Sequence, residues 1–445
     1  MKKFITDLYA SFSKNAVIGN VLVVGSITIL VKAIGFYKET LVASNFGLSI
    51  ILDTYFIAFL IPGLIQSIFI QSFNSVFIPN YIAEIRTGNN IGPFQTTGFL
   101  ITGLISIFFM IIAVIFSDIY VEFFFPGHDA SYYQLIKRQF YWLAPCVLFW
   151  GFSALLAGLL NIKSEFKLST FQGIFMPISI IICILFFRNI LGELTLAISS
   201  LIGSFLAFIY LVIVCKRLGV FQLTPQISRN ANAVIMLKQV PIKMTSSIFA
   251  GLHRIVDQYF AAQLFIGSIA AINYAEKIPA FVLGIVAIAL GNVFLPRFSK
   301  MVLHNRTKAF SELFRLLKIG FVGGAIIAII GIISSNFVIR LLFERGEFTG
   351  QDTLVVSKIQ QIFLIYIPFR IIGVFLVNFL TSINKNSYMA IVSFLSIVIN
   401  LILNFMLIDS YGVIGIAISS TVAVIFRNVI LFFFTLKQYR APLPS

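Results

Sequence analysis

Ionisable residues stand where lipid would forbid them. Lys32, Lys38, Glu39, Asp53, Lys243, Arg254, Asp257, Glu276, Lys277, Lys358, Arg370 and Arg427 all fall within stretches that are otherwise apolar. Eight are bases and four are acids. A charge facing lipid at mid-membrane costs about 2.5–3.5 kcal/mol on insertion scales. Twelve would cost on the order of 30–40 kcal/mol, beyond the roughly 5–15 kcal/mol stability of a native protein. These groups must therefore face a wet cavity or pair with one another. Lys243 and Lys358 lie near the ends of their segments, where long side chains reach the interface. Lys38, Glu39 and Asp53 also lie towards segment ends, whereas Arg254, Arg370 and Arg427 sit well inside theirs.

Spacing favours a cavity. Lys243, Ser247, Gly251, Arg254 and Gln258 fall within about 80° of one another on a helix. Ser393, Ser396, Asn400 and Asn404 form one polar stripe, and Ser67, Gln71 and Asn74 another. Lys32 and Glu39, seven apart, share a face, and Arg254 and Asp257, three apart, are placed to pair. The excess of bases selects an anionic guest, and Arg and Lys are the usual partners of phosphate. The alternative is that all twelve charges form internal ion pairs that fix helix packing.

The elements that position these residues follow from composition. The chain has 445 residues, 59% hydrophobic and 11% charged, with mean hydropathy +1.01. A soluble protein keeps about a quarter of its residues charged. Twelve apolar spans are expected, near 17–45, 51–83, 94–117, 132–160, 168–187, 194–215, 239–264, 268–296, 316–335, 355–382, 388–408 and 412–436. Spans of this kind must be helical, because lipid leaves no partner for open backbone groups. Before them, Phe4, Leu8 and Phe12 recur among Lys2, Lys3 and Lys14, the pattern of an amphipathic surface helix over 1–16. With the N-terminus inside, nineteen Lys and Arg flank the spans on the cytoplasmic side. Five, namely Lys137, Arg138, Arg188, Arg340 and Arg345, lie outside. That asymmetry places both termini in the cytoplasm. It also accounts for the net charge of +16 without invoking nucleic acid. Cys146, Cys183 and Cys215 lie in apolar segments without metal-ligand spacing.

The chain repeats itself. "FLIPGLIQSIFIQSFNSVFIPNYI" matches "EKIPAFVLGIVAIALGNVFLPRFS", with Pro62 and Pro79 answering Pro279 and Pro296. "LAISS" (196–200) matches "IAISS" (416–420), and the paired positions lie about 217 to 222 residues apart. The expected fold is an all-α polytopic membrane protein of two parallel-repeat, six-helix lobes around a central cationic cavity. The lobes span 17–215 and 239–445, joined by a basic cytoplasmic linker over 216–238. Parallel repeats are typical of alternating-access transporters.

"IGFYKETLVASNFG…LDTYFIAFLIPGLIQSIF…FNSVFIP", "VDQYFAAQLFIGSIAAINYAEKI…ALGNVFLPRFSK" and "LLFERGEFTGQDT" resemble the signatures of the MurJ/MviN family, within the multidrug/oligosaccharidyl-lipid/polysaccharide exporter superfamily. The resemblance covers essentially the whole chain, in order. It implies outward translocation of lipid II, the undecaprenyl-diphosphate-linked peptidoglycan precursor, across a bacterial cytoplasmic membrane. Lys32 and Lys38 stand where the family usually has cavity arginines. Asp53 matches its acid in "TDAF", here "LDTY", and Lys277 stands at the Arg of "YADR", here "YAEK". The chain departs from the family at Gln66 and Ser67, where an Arg pair is usual, and at Ala280, where an acid is usual. Many members also carry two further C-terminal helices.

The candidate cavity residues are thus Lys32, Lys38, Glu39, Asp53, Arg254, Asp257, Glu276, Lys277, Arg370 and Arg427. The expected cargo is a polyprenyl-diphosphate-linked saccharide lipid of the lipid II type, moved by a monomer among membrane lipids. Alternatives are a flippase for O-antigen, capsule or teichoic-type repeat units, and a cation-coupled drug antiporter. The antiporter would favour acids in the cavity, and this lining is basic. No phosphate-cradling Gly-rich loop occurs, and the outer loop near 118–131, with His128 and Asp129, is too short for an enzyme domain. No catalytic residue, resident metal or cofactor is expected, and energy would come from a coupling ion or the membrane potential.

Overall fold

The described residues of the computed structural model are 16–87, 91–228, 230–383 and 385–440. The surface helix expected over 1–16 lies outside them but for Ala16. All regular structure among the described residues is helical. In chain order the helices are α1 (Ala16–Phe46), α2 (Ile50–Arg86), α3 (Ile91–Ile115), α4 (Ser117–Phe124), α5 (Ala130–Ile162), α6 (166–191) and α7 (Thr195–Arg217). There follow α8 (Ala231–Ala262), α9 (Ser268–His304), α10 (Arg306–Phe343), α11 (Gly350–Ile365), α12 (Ile367–Ser382), α13 (Asn386–Tyr411) and α14 (Val413–Arg440). Eight helical runs among the described residues are long and apolar enough to cross a membrane, or nine if α11 and α12 form one span bent by 41°. The chain is an integral membrane protein.

Breaks in these helices have local causes. Pro62 removes a backbone donor inside α2, and a π-helical turn follows at Gln66–Ile70. The 52-residue run Phe166–Arg217 would extend about 78 Å as one straight helix, more than twice the bilayer core. Gly192 instead takes φ 53 and ψ −126, a conformation only glycine adopts readily, and α6 packs back along α7. Pro368 opens α12 just past the bend at Tyr366.

The repeat is visible in these elements. The paired prolines lie in α2 and α9, each 37 residues long. Gly412, ahead of α14, takes φ 52 and ψ −131, almost the conformation of Gly192 ahead of α7. The interval between the two glycines equals that between the two "AISS" segments.

The chain clusters into two compact units. The first runs to Asn45 and resumes over Thr54–Ile248; the second takes Phe46–Asp53 and the chain from Phe249. In lipid, helix association rests on close packing rather than on expelling water. In the first unit Gly98 lets α3 close onto the Phe77 ring, where a Cβ would collide. Phe73, Tyr81, Phe94, Val220, Met236 and Val240 complete that core. The stretch after α7 is fastened to the same unit. Gln95 Nε2 donates to the Val220 carbonyl at 2.8 Å and Thr96 Oγ1 to that of Thr224 at 2.8 Å. The buried Glu84 carboxylate accepts from Asn230 Nδ2 at 2.5 Å and Asn232 Nδ2 at 2.7 Å, at the entry to α8. In the second unit Tyr274 packs on Phe343 and Phe348, and Phe379 packs on Phe298 and Phe310.

Candidate functional site

The intramembrane charges sort by what surrounds them. On α1, Lys32, Lys38 and Glu39 are half-buried. Lys38 Nζ lies 2.5 Å from Glu39 Oε1, so these neighbours in sequence pair directly. Arg188 from the end of α6 clasps the last turn of α1, donating to the Asn45 carbonyl at 2.7 Å and to Asn45 Oδ1 at 2.8 Å.

Asp53 is 2% exposed. Its two oxygens accept from the Gly267 N–H at 2.5 Å and the Ala270 N–H at 2.8 Å. Those donors belong to the start of α9, whose first N–H groups have no partner within the helix. An acid there also complements the helix dipole. Asp53 therefore anchors α9, and both of its oxygens are occupied by that task.

The second unit holds the most concentrated polar cluster. Asp257 projects from α8. Its Oδ2 accepts from Ser420 Oγ at 2.5 Å, and its Oδ1 from Asn400 Nδ2 at 3.2 Å. Asn400 Nδ2 also reaches Ser420 Oγ at 3.2 Å. Asn404 lies beside the carboxylate, but its amide oxygen and nitrogen are buried without a hydrogen-bond partner, as is Asn400 Oδ1. Among the described residues no base forms an ion pair with Asp257. The expected pairing with Arg254 falls on a side chain outside the described residues. A half-buried carboxylate beside amide oxygens with spare lone pairs is suited to take up a proton or a small hard cation. No three His, Cys, Asp or Glu converge as metal ligands among the described residues.

Glu276 and Lys277 are half-buried side by side on α9. Glu276 is near enough to Asp257 and to Tyr366 to act on both electrostatically. Arg370, one turn into α12, sets its Cζ 5.5 Å from the Tyr366 ring centroid. Arg427, midway along α14, donates Nε to Ser393 Oγ at 3.1 Å. The stripe of Ser393, Asn400 and Asn404 read from the sequence thus serves two charged groups, while Ser396 Oγ donates to the Ala423 carbonyl at 2.9 Å. In the first unit, Ser67 Oγ turns to the Leu64 carbonyl at 3.2 Å, and Asn74 Oδ1 is buried without a partner.

Sequence reasoning did not place Ser420 and Tyr366 in the site. Ser420 had a signal, the second "AISS", read only as a mark of repetition. Tyr366 had none beyond the proline that follows it.

A family model described as "Lipid II flippase MurJ" matches residues 42–444. The chain is 27% identical over 418 residues to a "Probable lipid II flippase MurJ" of Buchnera aphidicola subsp. Schizaphis graminum, covering 92% of this chain and 81% of that one. It is 25% identical over 429 residues to the Rickettsia prowazekii protein of the same description, covering 94% and 84%. Among solved structures it is similar to "Lipid II flippase MurJ, inward closed conformation", with TM-score 0.76 at 23% identity over 94% of this chain and 89% of that one. That likeness is one of fold.

Proposed function

We propose, from the premise that this chain belongs to the lipid II flippase MurJ family, that it moves a polyprenyl-diphosphate-linked cell-envelope glycan precursor of the lipid II type. The movement runs from the inner to the outer leaflet by alternating access, and the chain is a transporter rather than a catalyst. The observation that carries the reading is the state of the acids. Eight intramembrane bases face four acids. Glu39 is taken by Lys38, Asp53 by backbone N–H groups, and Asp257 by Ser420 and Asn400. The bases outnumber the acids two to one in the sequence, and a dianionic diphosphate suits that excess. Lys32, Arg254 and Lys277 are the residues assigned to it, because Lys and Arg bind phosphate as point charge and as fork.

The Asp257 cluster supplies the coupling element. A proton or small cation entering it changes the charge of the membrane interior by one, which links the cargo's passage to an ion gradient or to the membrane potential. Twelve spans, in two halves of six, are supported by the glycine turn inside 166–217 and by the equal lengths of α2 and α9. Both termini are assigned to the cytoplasm of a bacterial inner membrane on the Lys and Arg asymmetry. Single cysteines at 226 and 306 then label only from inside, and those at 129 and 350 only from outside.

The test is flipping by purified protein in proteoliposomes, without nucleotide, under an imposed potential or ion gradient. Lipid II and a polyprenyl-diphosphate-linked oligosaccharide of neutral sugars are compared as cargoes. Transport of lipid II at the higher rate supports the reading. Transport of the second cargo alone assigns the protein to polysaccharide export, and a strict ATP requirement rejects the mechanism.

A further inference from the structure

Arg370 and Arg427, 57 positions apart in the chain, are joined by a helix crossing. α12 and α14 meet where Gly373 faces Asn428, and a Cβ on Gly373 would overlap the Asn428 side-chain amide. Glycine at 373 is therefore what lets the two helices approach so closely there. Arg370 lies three residues before Gly373, about one helical turn away and on the same side of the helix. Arg427 immediately precedes Asn428. The crossing thus holds the two guanidinium groups within electrostatic reach of each other.

Both arginines are short of partners. Arg370 rests on the Tyr366 ring, 5.5 Å from its centroid. Arg427 uses Nε on Ser393. Neither forms an ion pair with any described residue. Each guanidinium carries five donors in a planar fork, and nearly all of these stay uncommitted among the described residues. Two like charges held within reach of each other repel, and an anion lying between them relieves that repulsion. The guanidinium is planar by its own delocalisation, and the Tyr366 ring lies at cation–π distance from it.

We infer that Arg370 and Arg427 form an anion subsite within the second unit that receives a carboxylate of the cargo headgroup. The inference rests on the flippase reading and adds a second point of recognition to it. Lys32, Arg254 and Lys277 already exceed the two negative charges of one esterified diphosphate, and this pair adds two positive charges beyond that need. A planar fork on a flat aromatic floor suits a planar carboxylate, which it grips by two parallel hydrogen bonds. The subsite therefore selects a headgroup that bears carboxylates, as a peptide-substituted glycan does, over one built of neutral sugars.

The experiment compares two headgroups that differ only in that their peptide carboxylates are free or converted to amides. Each is used as the polyprenyl-diphosphate cargo in proteoliposomes. Each is also used as a soluble, lipid-free sugar-peptide titrated against the detergent-purified protein. Wild type is expected to prefer the free carboxylate by about tenfold, the value of one charge-assisted bidentate contact. Arg370→Gln and Arg427→Gln should each bring that ratio close to one. Arg427→Lys, which keeps the charge without the fork, should retain part of the preference and shows whether a Gln variant has failed for lack of fold. An unchanged ratio in both Gln variants, or a wild type that binds both soluble headgroups equally, overturns the subsite. A wild type that binds with the expected preference but flips neither cargo overturns the flippase reading and leaves the subsite standing.

Discussion

The two "AISS" segments carry the same residues at a fixed interval and are used differently. In the first unit Ser200 Oγ lies 2.9 Å from the Tyr55 hydroxyl, Ser179 Oγ donates to the Ser199 carbonyl at 2.8 Å, and Trp150 Nε1 donates to Ser204 Oγ at 2.8 Å. Each of these contacts joins neutral groups. In the second unit the same serine position, Ser420, donates to the carboxylate of Asp257, and amide atoms of Asn400 and Asn404 stand buried and unmatched beside it. The difference teaches that an ionisable group joins this network in the second unit and none does in the first. A fully paired neutral network fixes packing and does little else. A half-buried acid among unmatched amide atoms has polar groups left to satisfy, and on the proposed reading it is the one whose charge changes.

The largest effect is expected from Asp257→Asn. Removing the carboxylate removes the coupling charge, and transport should fall by about a hundredfold, a loss near 2.7 kcal/mol on the usual scale. Thermal stability should hold or rise, because a buried charge without an ion pair is itself costly. Normal gradient-driven flipping by this variant would erase the contrast between the two halves.

Ser420→Ala should come next. It leaves the carboxylate without its nearest donor, at about 1–3 kcal/mol, and both flipping and its ion dependence should weaken together. Measuring the rate against ion concentration checks this, and a change in stability alone would make Ser420 the equal of Ser200.

Asp53→Ala tests the other buried acid of the second unit. It uncaps α9, at about 0.5–2 kcal/mol. Folded yield should drop while transport per folded molecule stays within about twofold, since a shift of that size is small on the free-energy scale. A transport defect at normal yield would move Asp53 into the cargo path.

The smallest effect belongs to Ser200→Ala, which removes one neutral hydrogen bond worth about 1 kcal/mol. A modest fall in melting temperature with unchanged flipping sharpens the comparison. Loss of flipping there would mean that the first half is also a working site.

Hydropathy revealed most of the helices because lipid imposes one rule on every residue of a span. The repeat was legible for a related reason: prolines and glycines act on the backbone wherever they fall, so Pro62 and Pro279 lie in helices of equal length. The partners of the charges were not legible. Ser420 and Asp257 are far apart in the chain, and only the packing of α8 against α13 and α14 joins them. The meeting of Arg370 with Arg427 depends on a glycine, Gly373, whose value lies in an absent side chain. Asp53 was read as a cavity acid from its type and its resemblance, yet its task is set by backbone N–H groups more than two hundred residues further on. The Lys38–Glu39 pair was not legible either: adjacent residues point about 100° apart on a helix, and the spacing puts Glu39 on the face of Lys32 rather than with Lys38.

The eight residues Phe46–Asp53 belong to the second unit although both flanks belong to the first, and α8 changes unit near Ile248. A gene split at the stretch after α7 would therefore not yield two self-sufficient halves. The N-terminal product would lack Met236 and Val240 from its own core, and the C-terminal product would lack the Asp53 that caps α9. Each half of the sequence thus supplies residues to the compact unit that holds most of the other half. Separately expressed halves are therefore expected to give little folded protein, each needing the other to be translated with it.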